Sequence, residues 1–251
     1  MPREVRQVRD ALRGEFVDLI DMSDENGPPD QVEQHFLSRA LAALVARKLL
    51  GSDPEAAVDT LVDGRDDCGI DAIAVADSET RIWLIQSKWS DKGKAGFGVG
   101  EVLKFREGLK FIDERRFDRL NVKVQERADL ISSAYGTMGV GVTAVVAIMG
   151  DGLHPDVARR FEDLKVEFSN SGDPDFLDYT VLDARDIWQI VRDDLAPPPV
   201  QVVAKLDQWM HLVEPFEAYQ GRLSASDVAD WYDQHGDRLF EQNIRKSLGS
   251  T

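Results

Sequence analysis

Two neighbouring segments are the most informative part of the sequence: Gly69-Ile70-Asp71-Ala72-Ile73-Ala74-Val75-Ala76 and, shortly after it, Arg81-Ile82-Trp83-Leu84-Ile85-Gln86-Ser87-Lys88. Each half is rich in β-branched and apolar residues, which is typical of a strand. The polar segment between them, Asp77-Ser78-Glu79-Thr80, favours a turn. We therefore expect an antiparallel hairpin whose turn centres near Glu79.

The second strand of this hairpin predicts a position inside the sheet. Successive side chains of a strand point to opposite faces. Ile82 and Leu84 lie on one face, and Trp83 and Ile85 lie on the other. Because both faces are apolar, we expect layers of helices on both sides of the strand.

The polar end of the hairpin is the candidate site. Antiparallel pairing predicts Asp71 beside Gln86 and Lys88, which share one face of their strand. Carboxylate and amide oxygens suit a hard cation such as Mg²⁺ or Mn²⁺, so we expect Asp71 as the main ligand, with Gln86 and the Ser87 carbonyl beside it. Lys88 would orient or deprotonate a water molecule, or stabilise the transition state. The pattern predicts metal-dependent hydrolysis of phosphodiesters.

Helical periodicity predicts helices on both sides of the hairpin. The expected ranges are 3–19, 31–50, 54–62, 101–117, 122–133, 155–164, 184–191 and 227–234. Segments 140–149 and 179–182 favour further strands, and 200–206 is strand-like. Pro197-Pro198-Pro199 predicts a boundary between a domain at 1–196 and a linker with a mainly helical segment at 197–251. The expected fold is α/β, a mixed sheet flanked by helices with a small helical C-terminal appendage.

Composition narrows the function classes. The formal net charge of −16 argues against a generic nucleic-acid coat protein. A nuclease needs only a local basic surface and a bound metal, so the charge predicts weak, salt-sensitive binding rather than none. Cys68 is the single cysteine, and the start of the chain lacks the apolar stretch of a secretory signal. We expect a cytoplasmic protein without a membrane segment.

The hairpin residues resemble a known nuclease signature. Gly69-Ile70-Asp71, followed by Gln86-Ser87-Lys88, is similar to the D…QxK variant of the PD-(D/E)xK motif found in Mrr-like restriction enzymes. The resemblance implies a restriction-endonuclease-like fold and a divalent-metal-dependent nuclease. Gln86 stands where the usual residue is acidic, which leaves open an altered metal preference or a loss of activity.

A further resemblance concerns the abortive-infection phage-resistance (AIPR) family. Gly96-Phe97-Gly98, leading into Glu101-Val102-Leu103-Lys104, is similar to the segment after that family's QxK strand. The segment 239–249 is similar to the start of the family's larger region. The resemblance implies bacterial antiphage defence and a further C-terminal region. The expected partner is nucleic acid, DNA rather than RNA. The sequence leaves open whether the chain forms a homodimer.

Several acidic residues have two interpretations. Glu33 is a candidate second carboxylate ligand, because the fold that the chain resembles often supplies a Glu from a preceding helix. Alternatively, Asp30 and Glu33 form a capping box. Asp63, Asp66 and Asp67 are either a solvated loop or additional ligands, with Asp67 the first candidate.

The remaining polar residues give no second site. His35, His154, His211 and His235 lack metal-ligand spacing, so we expect structural or exposed side chains. The main hypothesis is a DNA nuclease. The alternatives are a nuclease-fold interaction module that no longer cleaves and a nuclease that stays silent until a partner or phage signal arrives.

Overall fold

The computed structural model describes residues 1–76, 78, 80–169, 176–195, 202–214, 217–236 and 239. The chain divides into two compact units, 1–195 and 196–251. The first unit contains the hairpin, and its fold positions the candidate site.

The first unit is built on a mixed four-stranded sheet in the order β1-β2-β3-β4. The strands are β1 (Ala72–Val75), β2 (Arg81–Lys88), β3 (Gly141–Ile148) and β4 (Leu177–Leu182). The predicted hairpin is confirmed, because β1 and β2 pair antiparallel in a register that joins Val75 to Ile82. β3 and β4 then add in parallel. β2 is therefore an inner strand, as its two apolar faces predicted.

Helices cover both faces of this sheet. They are α1 (Arg3–Phe16), α2 (Pro29–Leu50), α3 (Pro54–Val58), α4 (Val99–Asp113), α5 (Val122–Glu126), α6 (Ala128–Gly136), α7 (Pro155–Ser169) and α8 (Ala184–Leu195). One core lies between the sheet and α4, α6 and α7. The other lies between the sheet and α1, α2 and α8. The first unit is thus an α/β domain with a layer of helices on each side.

The long helix α2 is central to the second layer. Its residues from Ala40 to Ala46 are all buried, so the helix is enclosed around most of its circumference. Gly51 ends it in a left-handed conformation with φ of 64°, as expected for a helix C-terminus. This rigid helix carries one wall of the candidate site.

Helix boundaries differ from the expected ones in places. The predicted helix 122–133 is divided into α5 and α6, because Arg127 leaves the helical conformation with ψ near 2°. α7 continues to Ser169 and α8 to Leu195, beyond the predicted ends. None of the helices in the described part of the chain combines the length and apolarity that crossing a bilayer requires.

The second unit corrects the expectation of a mainly helical appendage. It contains an antiparallel pair, β5 (Asp207–Leu212) and β6 (Ala218–Arg222), before the helix α9 (Ala225–His235). The prediction of a strand at 200–206 is wrong for residues 202–206, which the structure describes, because the strand begins at Asp207. Residues 240–249, most of the segment that resembles the AIPR family, lie outside the described residues.

Candidate functional site

An irregularity at the start of β1 positions Asp71. Ala72 pairs with Ile85 in the strand register, and the Asp71 N–H also donates to the Ile85 carbonyl at 2.8 Å. Two successive residues therefore oppose one residue of β2, as in a β-bulge. A bulge shifts the alternation of side chains by one position, so Asp71 turns toward the face of Ser87.

Ser87 is the direct partner of Asp71. The Ser87 N–H lies 2.6 Å and its hydroxyl 2.9 Å from Asp71 Oδ2. The same hydroxyl lies 2.8 Å from the Ser38 carbonyl of α2. Simple two-residue alternation placed Asp71 on the face of Gln86, and the bulge is the physical reason why this placement is wrong. Ser87 thus contacts Asp71 as a donor, a contact that the sequence did not predict.

The loop before β1 brings two more aspartates to Asp71. The Asp71 carbonyl accepts hydrogen bonds from the N–H groups of Val62 and Asp63, at 2.8 and 3.1 Å. Asp67 accepts from the N–H groups of Gly64 and Gly69, at 3.0 and 2.6 Å. One carboxylate oxygen from each of Asp63, Asp67 and Asp71 lies within 4.8 Å of the others. We name these three residues the acidic trio.

Arg39 of α2 forms an ion pair with one member of the trio, Asp63. Its Nε lies 2.6 Å from Asp63 Oδ2. Its two terminal nitrogens bind Asp24 in a bidentate manner, at 2.7 and 2.8 Å. Only 2% of Arg39 is exposed, so the charge depends on these partners. Burial alone would lower the pKa of Arg39, but the hydrogen bonds to Asp24 and Asp63 raise it above its ordinary value.

Burial and neighbouring charges raise the pKa values of two members of the trio. Burial first, and then the Asp63 carboxylate, raises the pKa of Asp71 to about 7, although hydrogen bonds from Ser87 act in the opposite direction. Burial also raises the pKa of Asp67, against the hydrogen bonds from Gly69 and Gly64 and the charge of Lys88. Desolvated like charges disfavour ionisation, so this arrangement favours either a proton or a cation.

Two members of the trio, Asp63 and Asp71, border a cleft of about 470 Å³. Asp71, Ser87 and Lys88 border it from the strands, and His35 and Ser38 border it from α2. Asp71 and Lys88, predicted to share a site, thus face the same cleft. Gln86, the other residue predicted to lie beside Asp71, does not border this cleft.

Gln86 lies beneath the cleft instead. It is 2% exposed and occupies the face of β2 opposite Ser87. A Cβ on Gly69 would lie 2.9 Å from Gln86 Nε2, so the amide packs directly on the turn whose N–H binds Asp67. Gln86 Oε1 is buried and has no hydrogen-bond partner among the described residues. A buried amide oxygen of this kind needs a partner, such as water or an ion.

Glu33 is not part of the trio, which corrects its prediction as a ligand. Its Oε1 lies 2.7 Å from Arg13 and 3.4 Å from Arg9 of α1, and it borders another cleft, with Trp89 and Lys92. The capping-box alternative is wrong as well, because α2 begins at Pro29 and Pro28 makes no side-chain cap. Glu33 instead links α1 to α2.

Two groups of the site escaped the sequence prediction. Arg39 lies within the apolar run of α2, where a single charged residue with so many apolar neighbours is a signal of a buried ion pair. His35 Nδ1 lies 2.7 Å from Glu25 Oε2 at the edge of the cleft. His35 precedes Arg39 by four residues, a spacing that places both on one helix face and was available from the sequence.

Comparisons with known proteins identified no relative of this chain. No family model matches this chain, and no match was found among curated proteins or solved structures. We therefore infer the function from the residues of the site itself.

Proposed function

We propose that this chain is a divalent-metal-dependent nuclease of the PD-(D/E)xK type that hydrolyses phosphodiester bonds, with DNA as the preferred substrate. The observation that carries the proposal is the acidic trio, of which Asp63 and Asp71 border one cleft together with Lys88. The restriction-endonuclease-like fold, the relation to the AIPR family and the role in antiphage defence are part of the same proposal. They are supported by the hairpin motif.

The trio fits a hard cation such as Mg²⁺ or Mn²⁺. All of its donors are carboxylate oxygens, which such ions prefer. The hydrogen bonds described to Asp63 and Asp71 engage only Oδ2 of each, so Oδ1 keeps its lone pairs within the described part of the chain. The Gln86 amide packs against Gly69, whose N–H binds Asp67, and its buried Oε1 lacks a partner among the residues described. A bound cation would supply a water molecule of lowered pKa and positive charge for the phosphate.

The chain's own residues have distinct tasks in this proposal. Asp63, Asp67 and Asp71 hold the cation, and Ser87 and Arg39 orient two of these carboxylates. Lys88 stabilises the negative charge that develops on the phosphate, or orients the attacking water. Arg65, which is exposed on the rim of the cleft, provides a local basic contact for the nucleic-acid backbone.

A second function has its own support. Gln86 is not acidic and does not border the cleft, and a pKa of about 7 leaves Asp71 partly protonated near neutral pH. Both features suit a nuclease-fold module that binds a partner or nucleic acid without cleaving. Such a module would bind no Mn²⁺ in calorimetry, which distinguishes it from the enzyme.

Cleavage of plasmid DNA and of a structured RNA, each with Mg²⁺ or Mn²⁺, tests the proposal. We expect metal-dependent cleavage of DNA by the wild type and a loss of roughly 100-fold in Lys88→Ala. Lys92→Ala is the matched control, because it removes the same charge from an exposed position outside the cleft. Equal activity of Lys88→Ala and Lys92→Ala would contradict the assigned site.

A further inference from the structure

One face of α2 forms a wall of the cleft. His35, Ser38 and Arg39 are spaced by three and four residues, so they share that face. Ser38 fixes the helix to the end of β2, because its carbonyl lies 2.8 Å from the Ser87 hydroxyl. Its own hydroxyl accepts from the Trp89 N–H at 3.3 Å. The position of His35 relative to β2 is therefore set by contacts one helical turn away.

The imidazole of His35 is held by a carboxylate. Its Nδ1 lies 2.7 Å from Glu25 Oε2, and the other oxygen of Glu25 lies 3.3 Å from Arg39 Nη2. Arg39 in turn binds Asp63 of the trio. A continuous set of contacts thus connects the trio to the histidine.

The second ring nitrogen of His35 remains available. No hydrogen bond to Nε2 is found within the described residues, and 42% of the side chain is exposed where His35 borders the cleft. A carboxylate that accepts the Nδ1 proton fixes the ring and stabilises the imidazolium form, whose Nε2–H can be donated to a substrate. Glu25 is mostly buried, and its other oxygen is held by Arg39.

We propose that His35 is the general acid that protonates the leaving oxygen of the substrate, positioned by Glu25. This inference rests on the proposed phosphodiesterase function and assigns a further residue to the same site. A water oxygen forms the new bond to phosphorus, and the bond from phosphorus to the sugar oxygen breaks. The electron pair of that bond stays on the sugar oxygen, which takes the proton of His35 Nε2. The proton lost by the water passes to solvent, from which His35 is reprotonated.

The other groups of the cleft are poorly suited to this step. The carboxylates of the trio would be ionised when they hold a cation, and a guanidinium such as that of Arg65 does not release its proton. Lys88 lies close enough to Asp67 for its charge to lower the pKa of that carboxyl, which places it on the side of the cation. Histidine is the side chain that both carries and releases a proton near neutral pH.

Leaving-group dependence tests the proposal. An alkoxide leaves DNA poorly unless it is protonated, whereas the 4-nitrophenolate of bis(4-nitrophenyl) phosphate leaves without a proton. With Mn²⁺ present, we expect His35→Ala to lose roughly 100-fold in kcat on a DNA oligonucleotide and less than about threefold on the aryl diester. Glu25→Gln, the positioning variant, should show the same selectivity with a smaller loss of about tenfold on DNA.

The controls separate a chemical role from a structural one. His154→Ala removes an exposed histidine that also faces a carboxylate but lies outside the cleft, and it should match the wild type on both substrates. Equal losses on the two substrates in His35→Ala, or no loss on either, would overturn the role of His35. If the wild type hydrolyses neither substrate with any metal, the proposed phosphodiesterase function fails first, and the role of His35 fails with it.

Discussion

Two acidic sites adjoin α2, and they balance their charge in different ways. Glu33 has Arg9 and Arg13 around a single carboxylate, so cations outnumber anions there. The acidic trio has three carboxylates, and its principal cation, Arg39, is shared with Asp24 and Glu25.

The difference shows how local charge separates a structural contact from a candidate metal site. The charge of Glu33 is balanced by Arg9 and Arg13 without any ligand, and these ion pairs join α1 to α2. The trio places three partly buried carboxylates close together, so a proton or a cation would stabilise it further. Burial and the Asp63 carboxylate raise the pKa of Asp71 for the same reason.

Removing Asp71 should have the largest effect. Asp71→Ala deletes the carboxylate that joins the trio to β2, so we expect metal-dependent cleavage and Mn²⁺ affinity to fall by roughly 100-fold. Asp118→Ala, an exposed aspartate far along the chain, is the control and should leave both unchanged. Retention of full activity in Asp71→Ala, with unfolding curves like the wild type, would remove the trio from the site.

The turn under the trio should be the next most sensitive feature. Gly69 has φ of +75°, and a Cβ there would meet the buried Gln86 amide at 2.9 Å. We expect Gly69→Ala to reduce the free energy of unfolding by roughly 2–3 kcal/mol in urea denaturation. Gly51→Ala has a similar φ of +64° but no atom within 4 Å, so it should cost only about 1 kcal/mol. Equal costs would show that Gln86 does not support the turn.

The pKa of Asp71 predicts a pH dependence. In the folded protein this pKa is about 7 rather than 3.8, so the folded state binds the proton more tightly than the unfolded state. The contribution of Asp71 to stability should therefore decrease as pH rises from 3.8 to about 7 and stay constant above that range. Thermal unfolding of the metal-free wild type, compared with Asp71→Asn at each pH, isolates this contribution.

Metal binding should show the complementary trend. Because the cation competes with the proton on Asp71, Mn²⁺ affinity should rise by about tenfold per pH unit below the pKa and level off above it. An affinity that does not vary with pH would indicate that Mn²⁺ binds somewhere else.

Glu33 should give the smallest effect. Glu33→Gln weakens two partly exposed ion pairs between α1 and α2, so we expect a loss of less than about 1 kcal/mol in the free energy of unfolding. Mn²⁺ affinity should not change. A large loss of affinity in Glu33→Gln would restore Glu33 as a ligand.

Much of the hairpin could be predicted from sequence. The turn residues and the two apolar faces of β2 were sufficient for its pairing and inner position. Asp71 and Lys88 were correctly predicted to share a cleft. These features depend on local propensity and strict alternation, which a sequence displays directly.

The rest of the site depends on interactions that a single sequence does not display. The bulge at Asp71 reverses the expected face, because one extra residue at a strand end changes the alternation. Asp63 reaches the trio through backbone hydrogen bonds to Asp71, and Glu33 leaves it because Arg9 and Arg13 come from α1. The strands of the second unit were missed because their exposed residues lack the alternation of a half-buried strand.

Calorimetric titration of Mn²⁺ into the full chain, above the Asp71 pKa of about 7, shows whether the acidic trio binds a metal ion. We predict saturable binding in the wild type and in Glu33→Gln, and a loss of that binding in both Asp67→Asn and Asp71→Asn. An absence of binding in the wild type, or equal affinity in all four proteins, would contradict the assignment of the acidic trio as a metal site.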